Sequence, residues 1–220
     1  MLLRTLALLA PLTMITACTN SIEVPPADPV SATATPSGWT LYQGSPSAAP
    51  ATLGTLPPDT VAAGTFMPYQ KGAAAVTYDP TVVPAGATAQ VAITGNGAGM
   101  VVRLTANGLI PRRAYGAHLH TLPCAAAPDA AGPHYQHHKD PAAAASPPSV
   151  NPSYANPANE VWLDLVADAG GAATVASSLT WRFRPGAGAR SLVLHAMTTR
   201  TGAGVAGSAG PRVACLSLPG

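Results

Sequence analysis

The chain has 220 residues, of which 47% are hydrophobic and 9% are charged, and its formal net charge is +2. This length allows one domain, or one domain with a tail. Charged residues are far below the roughly 25% of an average soluble domain, and the lysines and arginines form no basic stripe along the chain. We therefore exclude a nucleic-acid-binding protein, because such proteins concentrate positive charge on one surface.

The first 17 residues have the pattern of a signal peptide. Arg4 precedes an apolar run from Thr5 to Ile15, which is shorter than the about 20 residues that a membrane-spanning helix needs. The run ends in ITAC, which resembles the lipobox of bacterial lipoproteins and makes Cys18 the lipidated residue. We expect an exported protein, anchored through this lipid to the membrane on the periplasmic side or at the cell surface. An ordinary secretory signal that contains a cysteine is the alternative.

Residues 18–72 are rich in Pro, Ala, Ser and Thr without steady periodicity, and this composition predicts an extended tether. From residue 73 onwards, short β-type segments alternate with Gly, Pro and Asn turn signals. No segment has a good helical pattern, so residues 73–220 are predicted to form an all-β antiparallel sandwich or barrel. The predicted strands are AAVTY at 74–78, AQVAITG at 89–95, MVVRLTA at 100–106, VWLDLVA at 161–167, ATVASSLTWRF at 173–183 and SLVLHAM at 191–197.

The three cysteines predict a disulfide. If Cys18 carries lipid, Cys124 and Cys215 remain as a pair, and an exported protein meets an oxidising compartment. A bond between them would close a long loop and stabilise the fold. Two unpaired thiols in the core are the alternative.

Five of the six histidines lie in one stretch, AYGAHLHTLPCAAAPDAAGPHYQHHKDP at 114–141. On a strand, His118 and His120 project from the same face, about 6.5 to 7 Å apart, and can close on one metal ion. His134 follows a loop, and His195 ends a separate apolar segment. An all-imidazole set suits divalent transition metals, copper in particular. The alternatives are a solvated histidine-rich loop and, for His195, a satisfied core histidine.

The order of these motifs, HxH, Cys, GxH, a strand histidine and then GPRVACLSLPG, is similar to that of the copper/zinc superoxide dismutase family. The similarity covers roughly residues 73–220 and implies a Greek-key β-sandwich with long loops. It also implies a dismutase activity that converts superoxide to dioxygen and hydrogen peroxide. Cys124 and Cys215 match the disulfide of the family. The implied copper ligands are His118, His120, His134 and His195.

The resemblance gives two residues a catalytic role. Arg212 matches the arginine that stands over the copper and attracts the anion, and His134 matches the histidine that takes up and releases a proton during turnover. The chain has few other charges, so we expect weak long-range steering of superoxide and more dependence on local access to the copper.

The sequence departs from the family where zinc would bind. No histidine occurs between His138 and His195, and the stretch AMTTRTGAGVAGSAGP at 196–211 contains no acidic residue. We therefore expect a copper-only member in which zinc binding is doubtful. His137 and His138 are expected to make surface or secondary metal contacts.

Without zinc, the second nitrogen of His134 still needs an orienting partner. Glu160 is the first candidate and Asp164 the second, and a solvated loop carboxylate is the alternative reading of Glu160. The main alternative function is a lipoprotein that holds or buffers copper without turnover, in which Arg212 only pins the terminal loop. A zinc hydrolase is disfavoured, because no carboxylate is placed as an obvious general base beside the histidines.

Overall fold

The computed structural model describes residues 59–144 and 148–219. The predicted signal peptide at 1–17, Cys18 and the tether as far as residue 58 lie outside the described residues. No helix in the described segments is long and apolar enough to cross a membrane. These segments instead contain nine β-strands and one short 3-10 helix.

Two antiparallel sheets make up the fold. One has the strand order β1-β3-β4-β7, and the other has the order β2-β9-β8-β5-β6. The chain crosses between the sheets after β1, β2, β4, β6 and β7, as in Greek-key sandwiches. The predicted all-β sandwich is therefore confirmed. The strands are β1 (Thr60–Thr65), β2 (Ala75–Thr77), β3 (Thr88–Asn96), β4 (Gly99–Asn107), β5 (Ala114–His120), β6 (Leu165–Val166), β7 (Ala173–Leu179), β8 (Ser191–His195) and β9 (Arg212–Ser217), and the 3-10 helix is Pro128–Ala131.

Alternation along the strands builds the core. Val91 in β3 and both Val102 and Leu104 in β4 are fully buried, whereas alternate residues of these strands face outward. β8 is different, because all five of its residues are buried. On its outer side, Val193 packs with Ala131 at the end of the 3-10 helix. The strand that carries His195 is thus covered on both faces.

The predicted strands appear with one large exception. The segment VWLDLVA forms only the two-residue strand β6, and its first half runs beside β5 through isolated pairings, including one between His118 and Trp162. This irregular stretch contributes to the site described below.

The paired strands begin inside the segment that the sequence assigned to the tether. β1 pairs along its whole length with β3, and Phe66, which follows it, is fully buried. Within β1 only Ala62 is buried, so the strand lacks the apolar alternation that marks a strand in sequence. The described part of the sandwich therefore already includes Asp59, whose carboxylate accepts a hydrogen bond from the Gly95 amide at 2.6 Å.

This boundary predicts that Phe66→Ala destabilises the protein by about 3 to 5 kcal/mol, because the ring is lost from a packed core. The measurement is urea-induced unfolding of the complete chain. Met67→Ala is the matched control, since the neighbouring Met67 side chain is 48% exposed. If the two variants unfolded at the same urea concentration, the segment before residue 73 would not belong to the core.

Candidate metal centre

Four histidine side chains converge on one point. His118 and His120 come from β5, His195 comes from the end of β8, and His134 comes from the loop after the 3-10 helix. Each offers one ring nitrogen, and these four atoms all lie within 4.8 Å of one another. The pairing of β5 with β8 brings the ring of His195 to 4.8 Å from that of His118, measured between centroids. The four residues that the resemblance implies as copper ligands are therefore adjacent.

Backbone pairing also places His134. The loop returns beside β5, where His134 pairs with His120 and the Tyr135 amide donates to the Leu119 carbonyl at 2.8 Å. Gly132 makes the turn before it with a φ of 74°, and a Cβ there would lie 2.6 Å from Thr121 Oγ1. A residue without a side chain is needed at this turn.

Three of the rings are oriented by hydrogen bonds from Nδ1. His120 donates to the Gly132 carbonyl at 2.8 Å, and His195 donates to the Gly210 carbonyl at 3.2 Å. His134 donates from Nδ1 to Glu160 Oε2 at 2.8 Å. Each ring therefore turns its Nε2 atom away from this partner.

His118 is oriented through its other nitrogen. Thr199 Oγ1 lies 2.6 Å from His118 Nε2 and also 2.6 Å from Asp164 Oδ1. The single hydroxyl proton goes to the carboxylate, so Thr199 accepts from His118 Nε2. Asp164 also accepts from the Thr199 amide at 2.7 Å, which fixes the threonine. His118 is left with Nδ1 free to face the other three rings.

Three of the inward nitrogens are buried without a hydrogen-bond partner: His118 Nδ1, His120 Nε2 and His195 Nε2. Leaving one buried polar atom unsatisfied costs roughly 1 to 3 kcal/mol, and here three such atoms point at one another. A metal ion is the natural partner for such a set, and nitrogen donors of this kind suit copper. The residues present therefore fit the metal that the resemblance implies.

Burial keeps these rings neutral. Loss of hydration holds the pKa values of His118 and His120 well below the ordinary histidine value, and the neighbouring rings and Arg212 act in the same direction. Loss of hydration also lowers the pKa of His195 to about 3. A neutral imidazole has the free lone pair that a metal needs, so protons compete weakly for these ligands.

Glu160 lies behind His134, as expected for the first candidate. Its side chain is buried and accepts three hydrogen bonds. Oε2 accepts from His134 Nδ1 at 2.8 Å and from Trp162 Nε1 at 2.7 Å, while Oε1 accepts from Gln136 Nε2 at 2.8 Å. Gly207 approaches this pair, since a Cβ at that position would lie 3.7 Å from both Glu160 and His134.

Asp164, the second candidate for this contact, does not reach His134. It lies behind His118, because the extended chain from Glu160 onwards runs along β5 past that residue. Of the orienting residues, Thr199 was missed and sits in a loop with no signal in sequence. Gln136 and Trp162 were missed too, although each lies two residues from a recognised site residue, on the same face of an extended chain.

The predicted disulfide between Cys124 and Cys215 is present. It joins the loop that carries the 3-10 helix to β9, which begins with Arg212. Arg212 is half-buried, donates to the Pro128 carbonyl at 3.2 Å, and has Nε 3.7 Å from the exposed Asp129 carboxylate. Arg212 is therefore attached to the loop backbone and also lines a cleft beside His134 and His195.

This cleft has a volume of about 870 Å³ and concentrates the positive charge of the chain. Its lining includes two carboxylates, Asp140 and Glu160, which are both buried. The cationic residues come from several segments of the chain and are brought to one cleft by the fold, which the sequence analysis did not predict. The cleft-lining cations are Lys139, Arg184, Arg190, Arg200 and Arg212.

His137 and His138 do not join the four-histidine cluster. The ring of His137 stacks on Trp181 at 4.7 Å, and His138 lies 4.4 Å from His137. Within residues 59–144 and 148–219, no second group of three or more histidine, cysteine or carboxylate ligands converges in the way that the four histidines do.

No protein-family model and no curated protein matches the chain. Solved structures do. They include a Cu/Zn superoxide dismutase from Brucella abortus, at 19% identity and a TM-score of 0.43, which covers 73% of this chain and 98% of that one. They also include a double mutant of a SOD-like protein from Bacillus subtilis, at 18% identity and a TM-score of 0.43, which covers 60% of this chain and 88% of that one.

The lowered pKa values predict that the metal-free protein loses stability in acid. Below about pH 6.5 the unfolded histidines bind protons that the folded rings do not, so the free energy of unfolding falls as the pH falls, down to the folded pKa. For His195 this loss amounts to about 2 kcal/mol between about pH 7 and about pH 5. Urea unfolding at both pH values should show a smaller pH dependence in His195→Gln. The control is His138→Gln, at an exposed histidine outside the cluster, which should retain the pH dependence of the unaltered protein. If both variants changed the pH dependence equally, the loss of stability in acid could not be assigned to His195.

The contacts of Glu160 predict that Glu160→Ala weakens Cu(II) binding by about 10- to 100-fold, because His134 loses the acceptor that orients it. Trp162→Phe removes one of the three donors to Glu160 and should cause a smaller loss. Competition with a copper chelator measures the affinity, and the Cu(II) electron paramagnetic resonance spectrum reports the ligand geometry. Asp168→Ala, at a loop carboxylate outside the site, is the control. Wild-type copper affinity in Glu160→Ala would refute the orienting role.

Proposed function

We propose that the protein is a copper-dependent superoxide dismutase that works without zinc, in the manner of the copper/zinc superoxide dismutase family. We also propose that it is exported and held at the bacterial cell envelope by lipid on Cys18. The observation that carries the activity is the set of three buried, unpartnered imidazole nitrogens that converge with His134 beside Arg212.

Bound copper would supply the one-electron change that lets one superoxide lose an electron and the next gain one. Over the two half-reactions, two superoxide anions and two protons become one dioxygen and one hydrogen peroxide. The protein must therefore hold the metal, admit a small anion and deliver protons. Its own residues can be assigned to each of these tasks.

His134 is the residue suited to moving a proton. Its side chain is 13% exposed, whereas the side chain of His118 is fully buried, and His134 lines the open cleft. Glu160 holds the Nδ1 proton, so proton exchange is confined to Nε2. A proton taken up at Nε2 in the half-reaction that releases dioxygen can be given to the peroxide that forms in the next.

Arg212 is suited to receiving the anion. Its guanidinium is fixed by the Pro128 carbonyl, lies at the cleft next to His134 and His195, and keeps a positive charge at any physiological pH. A passive copper store does not need such a charge beside its metal. This favours the enzyme over the alternative of a lipoprotein that only holds or buffers copper.

Three residues that could have served as zinc ligands, His134, Asp140 and His137, already have other partners, and this supports a site that needs no zinc. The Nδ1 atom of His134 is engaged by Glu160, so it is not free for a second metal. Asp140 is buried and accepts from the Ala142 amide at 2.9 Å and from Ser149 Oγ at 2.6 Å. His137 stacks on Trp181 instead of facing His134.

The test is superoxide decay after pulse radiolysis, with the complete chain loaded with copper alone. Fast catalytic decay is expected, with loss of activity in His120→Ala, because a buried ligand is removed. Arg212→Ala should slow the decay roughly tenfold, the low end of electrostatic effects on encounter rates. Arg103→Ala, which removes an equal charge from an exposed position on β4, should leave the rate unchanged.

Two results would overturn the proposal. Tight copper binding with decay no faster than that of metal-free protein would leave a copper-holding lipoprotein. A requirement for added zinc would refute the copper-only assignment. Protease protection and mass spectrometry of the membrane fraction, with Cys18→Ser as the variant, test the lipid anchor separately.

A further inference from the structure

The cleft beside the metal centre is far larger than superoxide needs. A small molecule such as water takes up about 30 Å³ in the liquid, and a diatomic anion is of similar size. The cleft volume of about 870 Å³ instead falls in the range of about 300 to 1,000 Å³ that is typical of sites for organic ligands. Its size therefore indicates a ligand other than the proposed substrate.

The charge of the cleft indicates an anion. Five of the 11 lysines and arginines of the chain line it. Its two carboxylates already have partners: Glu160 accepts from three side chains, and Asp140 from Ser149 and a backbone amide. Among the ion pairs of the described residues, one involves a cleft-lining cation, Arg212 with the exposed Asp129. Among the described residues, five positive and two negative formal charges line the cleft, and Asp129 offsets one more, so an excess of positive charge remains.

Two of the cations are held in place by neutral groups. Arg184 donates to the His137 carbonyl, and Arg200 donates to Ser208 Oγ at 3.1 Å. These bonds use one nitrogen of each guanidinium and leave other N–H groups for a ligand. Carboxylates and phosphates are the groups whose shape matches such a donor.

The cleft also has an apolar wall. Leu122 and Val150 are 51% and 39% exposed, and both line the cleft together with Pro123 and Pro133. Leu122 is fixed beside β8, because its carbonyl accepts from Ser191 Oγ at 2.7 Å. A ligand with an apolar body would cover these side chains, whereas a small inorganic anion would not.

We propose that the cleft binds an organic anion with a compact apolar body and at least two negative charges, carried by carboxylate or phosphate groups. Because His134, His195 and Arg212 line the same cleft, the occupant lies on the path to the metal centre and limits its access. This binding does not depend on copper or on dismutase turnover, so it can be tested apart from the proposed function.

The test is isothermal titration of the complete, copper-free chain with benzene-1,3-dicarboxylate and with phenyl phosphate, using inorganic phosphate and benzyl alcohol as comparisons. At least one organic dianion should bind saturably, with a Kd below about 1 mM and weakening as salt rises. The dianion with the lower Kd shows whether the cleft prefers carboxylate or phosphate groups. Inorganic phosphate and benzyl alcohol should each bind at least tenfold more weakly.

Matched variants separate this site from general charge effects. The double variant Lys139→Gln, Arg190→Gln should lose at least tenfold in affinity. The double variant Lys71→Gln, Arg103→Gln, which removes the same charge from exposed residues outside the cleft, should bind as the unaltered chain does. Leu122→Ala should lower the affinity for the organic dianions several-fold.

Three outcomes would refute the proposal: no saturable binding of either dianion, inorganic phosphate binding as tightly as phenyl phosphate, or equal losses in the two double variants. None of them bears on the pulse radiolysis result. Conversely, a protein that binds copper without turnover can still bind the dianion.

Discussion

The buried carboxylate of Glu160 is the group on which the arrangement of the site depends. A buried charge is costly unless its oxygens are satisfied, and here three donors satisfy them. The donors come from two irregular segments, one around His134 and one around Trp162, that both run beside β5. Glu160 therefore orients a metal-facing ring and also joins the two segments that carry the site.

The four histidines must be buried and must also keep their inward nitrogens free for a metal, and rigid strands and short, hydrogen-bonded loops meet both requirements. Rings that face one another in a dry interior lose hydration, and their inward nitrogens have no protein partner. The fold can bear the cost of these unpaired nitrogens because the surrounding structure holds each ring in place through several independent contacts. β8 is buried on both faces, the disulfide fixes the loop before His134, and each outer ring nitrogen has its own acceptor. Such rigidity keeps the ligands preorganised for a metal.

Features that depend on local residue pattern, or on the order of motifs along the chain, could be predicted from the sequence. His118 and His120 could be placed on one face of a strand because residues two apart share a face. The disulfide could be predicted because two cysteines remained in a chain with the sequence pattern of an export signal. β1 could not be recognised, because an edge strand that buries only Ala62 has almost no apolar alternation. Thr199 and the cationic cleft arise from contacts between distant segments, which composition and spacing do not encode.

The low net charge of the chain limits the distance over which the cleft can attract an anion. With 11 basic and 9 acidic residues, the protein as a whole presents almost no net field to an approaching anion. The cations around the cleft act instead over about one Debye length, roughly 8 Å at physiological ionic strength. The proposed anions would therefore be attracted only once they reach the mouth of the cleft, where Arg212 and the neighbouring cations are within range. Superoxide and a larger organic dianion would meet the same cations there, so discrimination between them would come from their charge, from their size and from the apolar wall around Leu122.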